Sequence, residues 1–152
     1  MNNKQLHDAI YNILLSLKLY SSDSIVKMIF ETACVESNCG EYIKQINGPA
    51  CGIFQIEPNT AQDIIDNYIK YRSRYKDIFD TLYIKTFTLP QNLKYNLAFS
   101  VFMCRMFYMR IKESIPNTIE KRAEYWKKYY NTEQGKGTTT EYIRKVGKYG
   151  KF

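Results

Sequence analysis

The sequence predicts an all-α domain with at most one small β element. Three observations carry this. Apolar residues recur at helical spacing along most of the chain. The stretch from Gln91 to about Glu113 is apolar almost all round, the mark of a helix at the buried centre of a domain. A single short run, Gly52-Ile53-Phe54-Gln55-Ile56, has the length and composition of a strand or tight turn. The 152 residues suit one domain, 1–152, and hydrophobic residues at 45% supply its core.

The elements follow in order. A first helix spans roughly Lys4 to Leu19, with Leu6, Ile10, Ile13, Leu14 and Leu17 on one stripe. Ser21, Ser22, Asp23 and Ser24 offer N-caps for a second, whose face carries Ile25, Met28, Ile29, Thr32 and Ala33. Gly40 suits a left-handed end to that helix. A loop to Cys51 contains Gly48-Pro49, and Pro58 opens a third helix reaching about Lys70. The segment from Tyr71 to Pro90 has weak periodicity and reads as a loop with helical turns. The long helix from Gln91 turns Leu93, Leu97, Val101, Cys104, Phe107, Tyr108 and Ile111 inward. Asn117 and Glu120 resemble a capping box for a helix ending near Tyr130. Gly135 and Gly137 mark a turn, and Thr140 caps a short last helix.

Charge and special residues narrow the classes. The net charge of +7 favours a polyanionic partner: nucleic acid, anionic lipid or bacterial cell wall. Most of the late basic residues, such as Lys121-Arg122 and Lys127-Lys128, read as solvated faces. No run is long and apolar enough to predict a membrane span. Met1-Asn2-Asn3-Lys4 lacks the layout of a secretion signal, so synthesis in a cytoplasm, without export by that route, is expected. Cys34, Cys39, Cys51 and Cys104 form no C-x-x-C pair and read as buried thiols, with a Cys39–Cys51 bridge as an open alternative. The sole histidine, His7, sits at the polar start of a helix, so no metal site is expected.

Glu36 is the anomaly. It is the next member of the buried stripe of the second helix. A carboxyl placed there loses hydration, which disfavours its charged form and raises its pKa. Such a group stays protonated near neutral pH and is ready to donate. Periodicity alone equally allows Glu36 to turn to solvent or pair with a lysine.

Residues further along add to this. Glu36-Ser37 is followed by Gly52-Ile53-Phe54-Gln55, then Asn96 on a buried helix, then Tyr130-Asn131. This order resembles the lytic transglycosylases of the lysozyme-like superfamily, from about Ile25 to Ile143. The segments Gly48 to Pro58 and Trp126 to Thr132 look closest to the muralytic proteins of bacteriophages. The resemblance implies a lysozyme-like helical domain that cleaves the glycan strands of peptidoglycan. It implies Glu36 as the catalytic acid, Ser37 beside the carboxylate or sugar, and Gln55 on the glycan. Asn96 matches the helix asparagine of a third motif, although Ser100 stands where that motif usually has Gly and Met103 where it has Tyr. Tyr130 matches the tyrosine that reaches the carboxylate or the sugar, with Tyr129 as the alternative.

The implied mechanism uses one carboxylate twice and no cofactor. Glu36 protonates the glycosidic oxygen, then takes a proton from the sugar's own 6-hydroxyl as it closes a 1,6-anhydro ring, a reaction favoured by proximity. Glu57 keeps a second reading open. Were Gln55 to Glu57 extended, both side chains would point into the cleft, and Glu57 would serve as the second carboxylate of a hydrolytic muramidase. Its bland role is to sit at the start of the helix at Pro58, where negative charge is favoured. The expected partner is therefore the peptidoglycan glycan strand, not nucleic acid or membrane. The expected enzyme is a monomer that reaches the wall at phage lysis or as a virion part. A noncatalytic basic binding module is the rival from another class, and the position of Glu36 in a cleft or on a convex surface separates the two.

Overall fold

The computed structural model describes all residues, 1–152, and is all-α. Helix α1 (Asn3–Ser16) starts at a capping box in which Asn2 and Gln5 satisfy each other's backbone N–H groups, and it buries Leu6, Ile10 and Leu14. Helix α2 (Asp23–Ser37) is buried on nearly every side between α1 and the rest of the chain. Helix α3 (Pro58–Asn67) leads through a 3-10 turn (Ile69–Tyr71) into α4 (Ser73–Leu82). Then come α5 (Leu89–Tyr95), α6 (Leu97–Met109), α7 (Ile119–Trp126), a π-helical turn (Lys127–Asn131) and α8 (Thr139–Tyr149). One core of contiguous apolar side chains runs through all the long helices, with α6 at its centre. The β content is two isolated bridges, Lys44 with Cys51 and Cys51 with Ile56. No helix is long and apolar enough to cross a membrane.

Several boundaries differ from the sequence reading, each for a physical reason. The end of α2 is set by Asn38 in the left-handed region (φ 54), not by Gly40, and Cys39 (φ 60) and Gly40 (φ 87) continue the reversal. The segment expected to be a loop after Tyr71 contains α4. That helix fully buries no residue and only packs Tyr75, Ile78, Phe79 and Leu82 partly against the core, so its apolar stripe is diluted. The last two helices start one or two residues away from the expected caps, at Thr118 and Thr138, whose hydroxyls accept the N–H groups of Lys121 and Glu141.

The expected helix from Gln91 to Glu113 is two helices broken at Asn96. That residue is extended (φ −110, ψ 92), and its Oδ1 accepts the Phe99 N–H at 3.2 Å to cap α6. Its Nδ2 donates to Leu82 O at 2.7 Å and to Asn92 Oδ1 at 3.0 Å. Asn92, fully buried, bonds both the N–H and the carbonyl of Ile84. Together the two asparagines peg the 82–88 connection onto the break. The polar groups of Asn96 are thus spent inside the fold, which corrects its expected role on substrate.

One polar cluster lies deep in the core. Arg122 of α7 grips Glu31 of α2 with two bonds of 2.8 Å, and the Tyr142 hydroxyl of α8 donates to the same carboxylate at 2.7 Å. The charged groups are almost inaccessible to solvent. The cluster ties α2, α7 and α8 into one unit, and those three helices carry Glu36, Trp126 and Lys145.

Candidate active site

Glu36 lies in the last turn of α2. Its side chain is half-buried and opens on a cleft. Trp126, the only tryptophan, donates its Nε1–H to Glu36 Oε1 at 2.9 Å. The Tyr42 hydroxyl donates to the Glu36 backbone carbonyl at 2.8 Å, holding the entrance loop to the helix end. Gly137 lies against Trp126; a Cβ there would meet the indole Cη2 at 2.5 Å, so only glycine lets the 135–137 turn approach the ring this closely.

Burial is the chief influence on the Glu36 carboxyl and pushes its pKa up to about 7. The Trp126 hydrogen bond and the positive charge of Lys145 oppose this, and Glu141 adds to it. Lys145 is itself held away, donating to Val35 O at 2.9 Å and facing Glu141 at 3.7 Å. Glu36 therefore lacks the direct cation that would fix it as a carboxylate. It is half-protonated near neutrality, able to give a proton and take one back.

The cleft consists of two adjoining hollows, about 310 and 520 Å³, which share Glu36, Gln55, Glu57 and Asn131. One extends toward Thr60, Phe107 and Tyr130, the other toward Tyr42, Gln45 and Lys136. The acid thus stands where the two meet, with room for a chain on either side.

The other expected site residues divide. Gln55 lines both hollows, but not from an extended strand. It sits in a left-handed turn (φ 48), with its Nε2 donating to Gly52 O at 2.8 Å. Gly52 (φ 81) permits that turn by letting the backbone press on α5, where a Cβ would meet Leu93 O at 2.1 Å. Glu57 occupies the N-cap position of α3 but makes no side-chain cap bond, and its exposed side chain lines the same hollows. Ser37 does not reach the cleft. It is fully buried, its hydroxyl donating to Ile53 O at 2.6 Å and accepting from the Gly40 N–H at 2.9 Å, and it pegs the 52–56 turn beneath Glu36. Tyr130 borders the cleft in the π turn and donates to Phe54 O at 2.5 Å, not to Glu36. Its ring packs on Phe107 and Tyr108, 4.5 and 5.4 Å away between centroids. The Tyr129 hydroxyl turns away to the Glu113 carboxylate, so of these two neighbours it is Tyr130 that borders the cleft.

Trp126, Tyr42 and Asn131 complete the site. Trp126 and Asn131 fall within the segment from Trp126 to Thr132 singled out in the sequence, but nothing in their spacing announces that residue 126 reaches residue 36. No group of three or more His, Cys, Asp or Glu side chains is placed to hold a metal ion. No protein-family profile, curated protein or solved structure matches this chain.

The Glu36–Trp126 bond provides a direct readout. Fluorescence of the single tryptophan should titrate with a midpoint near 7, as the bonded oxygen gains and loses charge. Glu36→Gln is expected to abolish that transition. A wild-type curve identical to that of the variant would show that Glu36 does not titrate there.

Proposed function

We propose that this protein cleaves the β-1,4 bonds between N-acetylmuramic acid and N-acetylglucosamine in peptidoglycan glycan strands, as a lytic transglycosylase. The observation that carries the proposal is the carboxyl of Glu36, poised near neutral pH where the two halves of a chain-sized cleft join. The likeness of Glu36-Ser37, Gly52 to Gln55 and Tyr130-Asn131 to those enzymes supports it. A cleft location also favours an enzyme over a basic binding module. The net charge of +7 suits an anionic wall.

In this mechanism Glu36 protonates the glycosidic oxygen as the bond breaks. The N-acetyl group of the muramic sugar assists at the anomeric carbon. The Glu36 carboxylate, its negative charge met by the Trp126 N–H, then accepts the proton of the 6-hydroxyl, which closes the anhydro ring. Gln55 and Asn131 hold the glycan along the cleft, and the protein reaches the wall at phage lysis or as part of a virion.

A second reading rests on Glu57, which faces the same hollows free of a capping bond. There it would serve the water attack of a muramidase. Mass spectrometry of digested wall distinguishes the two. Transglycosylation should leave 1,6-anhydromuramic ends, one water lighter than hydrolysis products, and Glu57→Gln should keep most activity. Reducing muramic ends, together with loss of activity in that variant, would replace the first reading by the second.

A further inference from the structure

Cys34 and Cys39 lie on either side of Glu36 in sequence, and the fold brings them together. Asn38 turns the chain back on itself in the left-handed region, and the Cys39 N–H then donates to Ala33 O at 2.9 Å. This folds Cys39 over the last turn of α2, so that its Sγ stands 3.0 Å from that of Cys34. A disulfide bond is about 2.05 Å long, so roughly one ångström of closure separates the contact from a covalent link. The expected alternative partner of Cys39, Cys51, is instead buried with its thiol directed to Pro49 O at 3.3 Å. Cys104 is buried within α6 and bonds to neither.

The two thiols are unequal. Cys34 is fully buried, whereas Cys39 is partly exposed and within reach of a small reagent. The contact itself, more than burial, pushes the Cys34 thiol well up, while hydrogen bonding from Cys34 draws the Cys39 thiol down. The reachable sulfur is thus also the one whose thiolate is favoured, the combination that makes a cysteine the attacking group.

We propose that Cys34 and Cys39 form a disulfide-forming dithiol, a covalent modification site at the end of the helix that bears Glu36, oxidised by exchange with a small disulfide of the glutathione class. The Cys39 thiolate attacks one sulfur of the reagent. The reagent's S–S bond breaks, and its first half leaves as a thiolate that takes up the proton Cys39 released. Cys34 then gives up its proton and attacks Cys39 Sγ, expelling the second half, which leaves as a thiol. Two protein thiols and one reagent disulfide become one protein disulfide and two reagent thiols. The two electrons lost by the protein reduce the reagent. The new bond closes a short ring containing Glu36, Ser37 and Asn38, and fixes the turn on which Ser37 pegs the 52–56 segment.

The test needs no assay of activity, so it stands or falls apart from the glycan-cleaving proposal. The folded full-length chain is incubated with oxidised glutathione, then denatured and alkylated. The intact mass should show the loss of two hydrogens, with alkylation confined to Cys51 and Cys104. The tryptic peptide Met28–Lys44 should appear internally linked, and the thermal midpoint should rise by about 5 °C. Cys34→Ala should halt the exchange at a glutathione adduct on Cys39. Cys39→Ser, at a partly exposed position, should prevent any adduct under the same conditions. Alkylation of all four cysteines in the treated wild type, a persistent adduct on Cys39, or a Cys39–Cys51 link would overturn the proposal.

Discussion

Glu36→Gln should lower the clearing of outer-membrane-stripped cells by at least about 100-fold, the lower range for losing a general acid. The amide keeps the size of the side chain and an oxygen to accept the Trp126 N–H, but has no proton to exchange. The same substitution should make the protein more stable above neutrality. The Glu36 pKa rises from an ordinary 4.5 in the unfolded chain to about 7 in the fold. A carboxyl raised in this way costs nothing at a pH below both values. As pH climbs from 4.5 to 7, the unfolded chain gives up its proton more readily than the folded one, and stability is lost. Above 7 the cost is complete, up to about 3 kcal/mol and less to the extent that the open cleft hydrates the charge. Urea unfolding should therefore find the Gln variant more stable than wild type at about pH 8 and equal to it a unit below the ordinary carboxyl value, at about pH 3.5. Full activity in the variant would sink the single-acid mechanism, and equal stability at both pH values would show that the acid is not desolvated. The two halves together describe a site that gives up stability to hold its proton.

Much of this site was legible in the sequence, and the failures have physical causes. Glu36 stood out because a carboxylate in an apolar stripe is rare, and Gln55 and Tyr130 followed from short motifs. Trp126 did not, because a hydrogen bond across ninety positions leaves no periodic trace. A motif match marks a position, not the direction of a side chain, so Ser37 and Asn96 read from the sequence as substrate residues. Both turn out to satisfy backbone groups at a helix end or break. The break at Asn96 was hidden because apolar residues on both sides continue one buried stripe across it. The all-α class is readable because α1, α2 and α6 carry clear apolar stripes or wholly apolar surfaces that the fold buries. Helix α4 reads as a loop with helical turns because it packs on one side alone and buries no residue fully.

Glu31→Gln is expected to produce the largest loss of stability, on the order of 3–5 kcal/mol. It leaves the Arg122 guanidinium buried without its counter-charge and weakens the acceptor of the Tyr142 hydroxyl. The thermal midpoint of a chain this size should fall by about 10 °C or more. Replacing both charges with apolar groups, Glu31→Leu with Arg122→Met, should recover a large part of the loss, because the penalty lies in the orphaned charge and not in the missing pair. A loss below about 1 kcal/mol for Glu31→Gln would mean that water reaches Arg122 and the cluster does not bind the three helices.

The Glu31 cluster also fixes when, during synthesis, the acid becomes an acid. Glu36 emerges early, within the first quarter of the chain. Yet the groups that desolvate and orient it come late: Trp126 on α7, Gly137 in the following turn, and Lys145 on α8. Arg122 and Tyr142, which clamp those elements to α2, come from the same late segment. Until α7 and α8 are both released, Glu31 lacks Arg122 and Tyr142, and Glu36 lacks its bond from Trp126 and the charge of Lys145. The raised pKa of Glu36 is thereby a property of the assembled fold, completed by segments that follow it far along the chain.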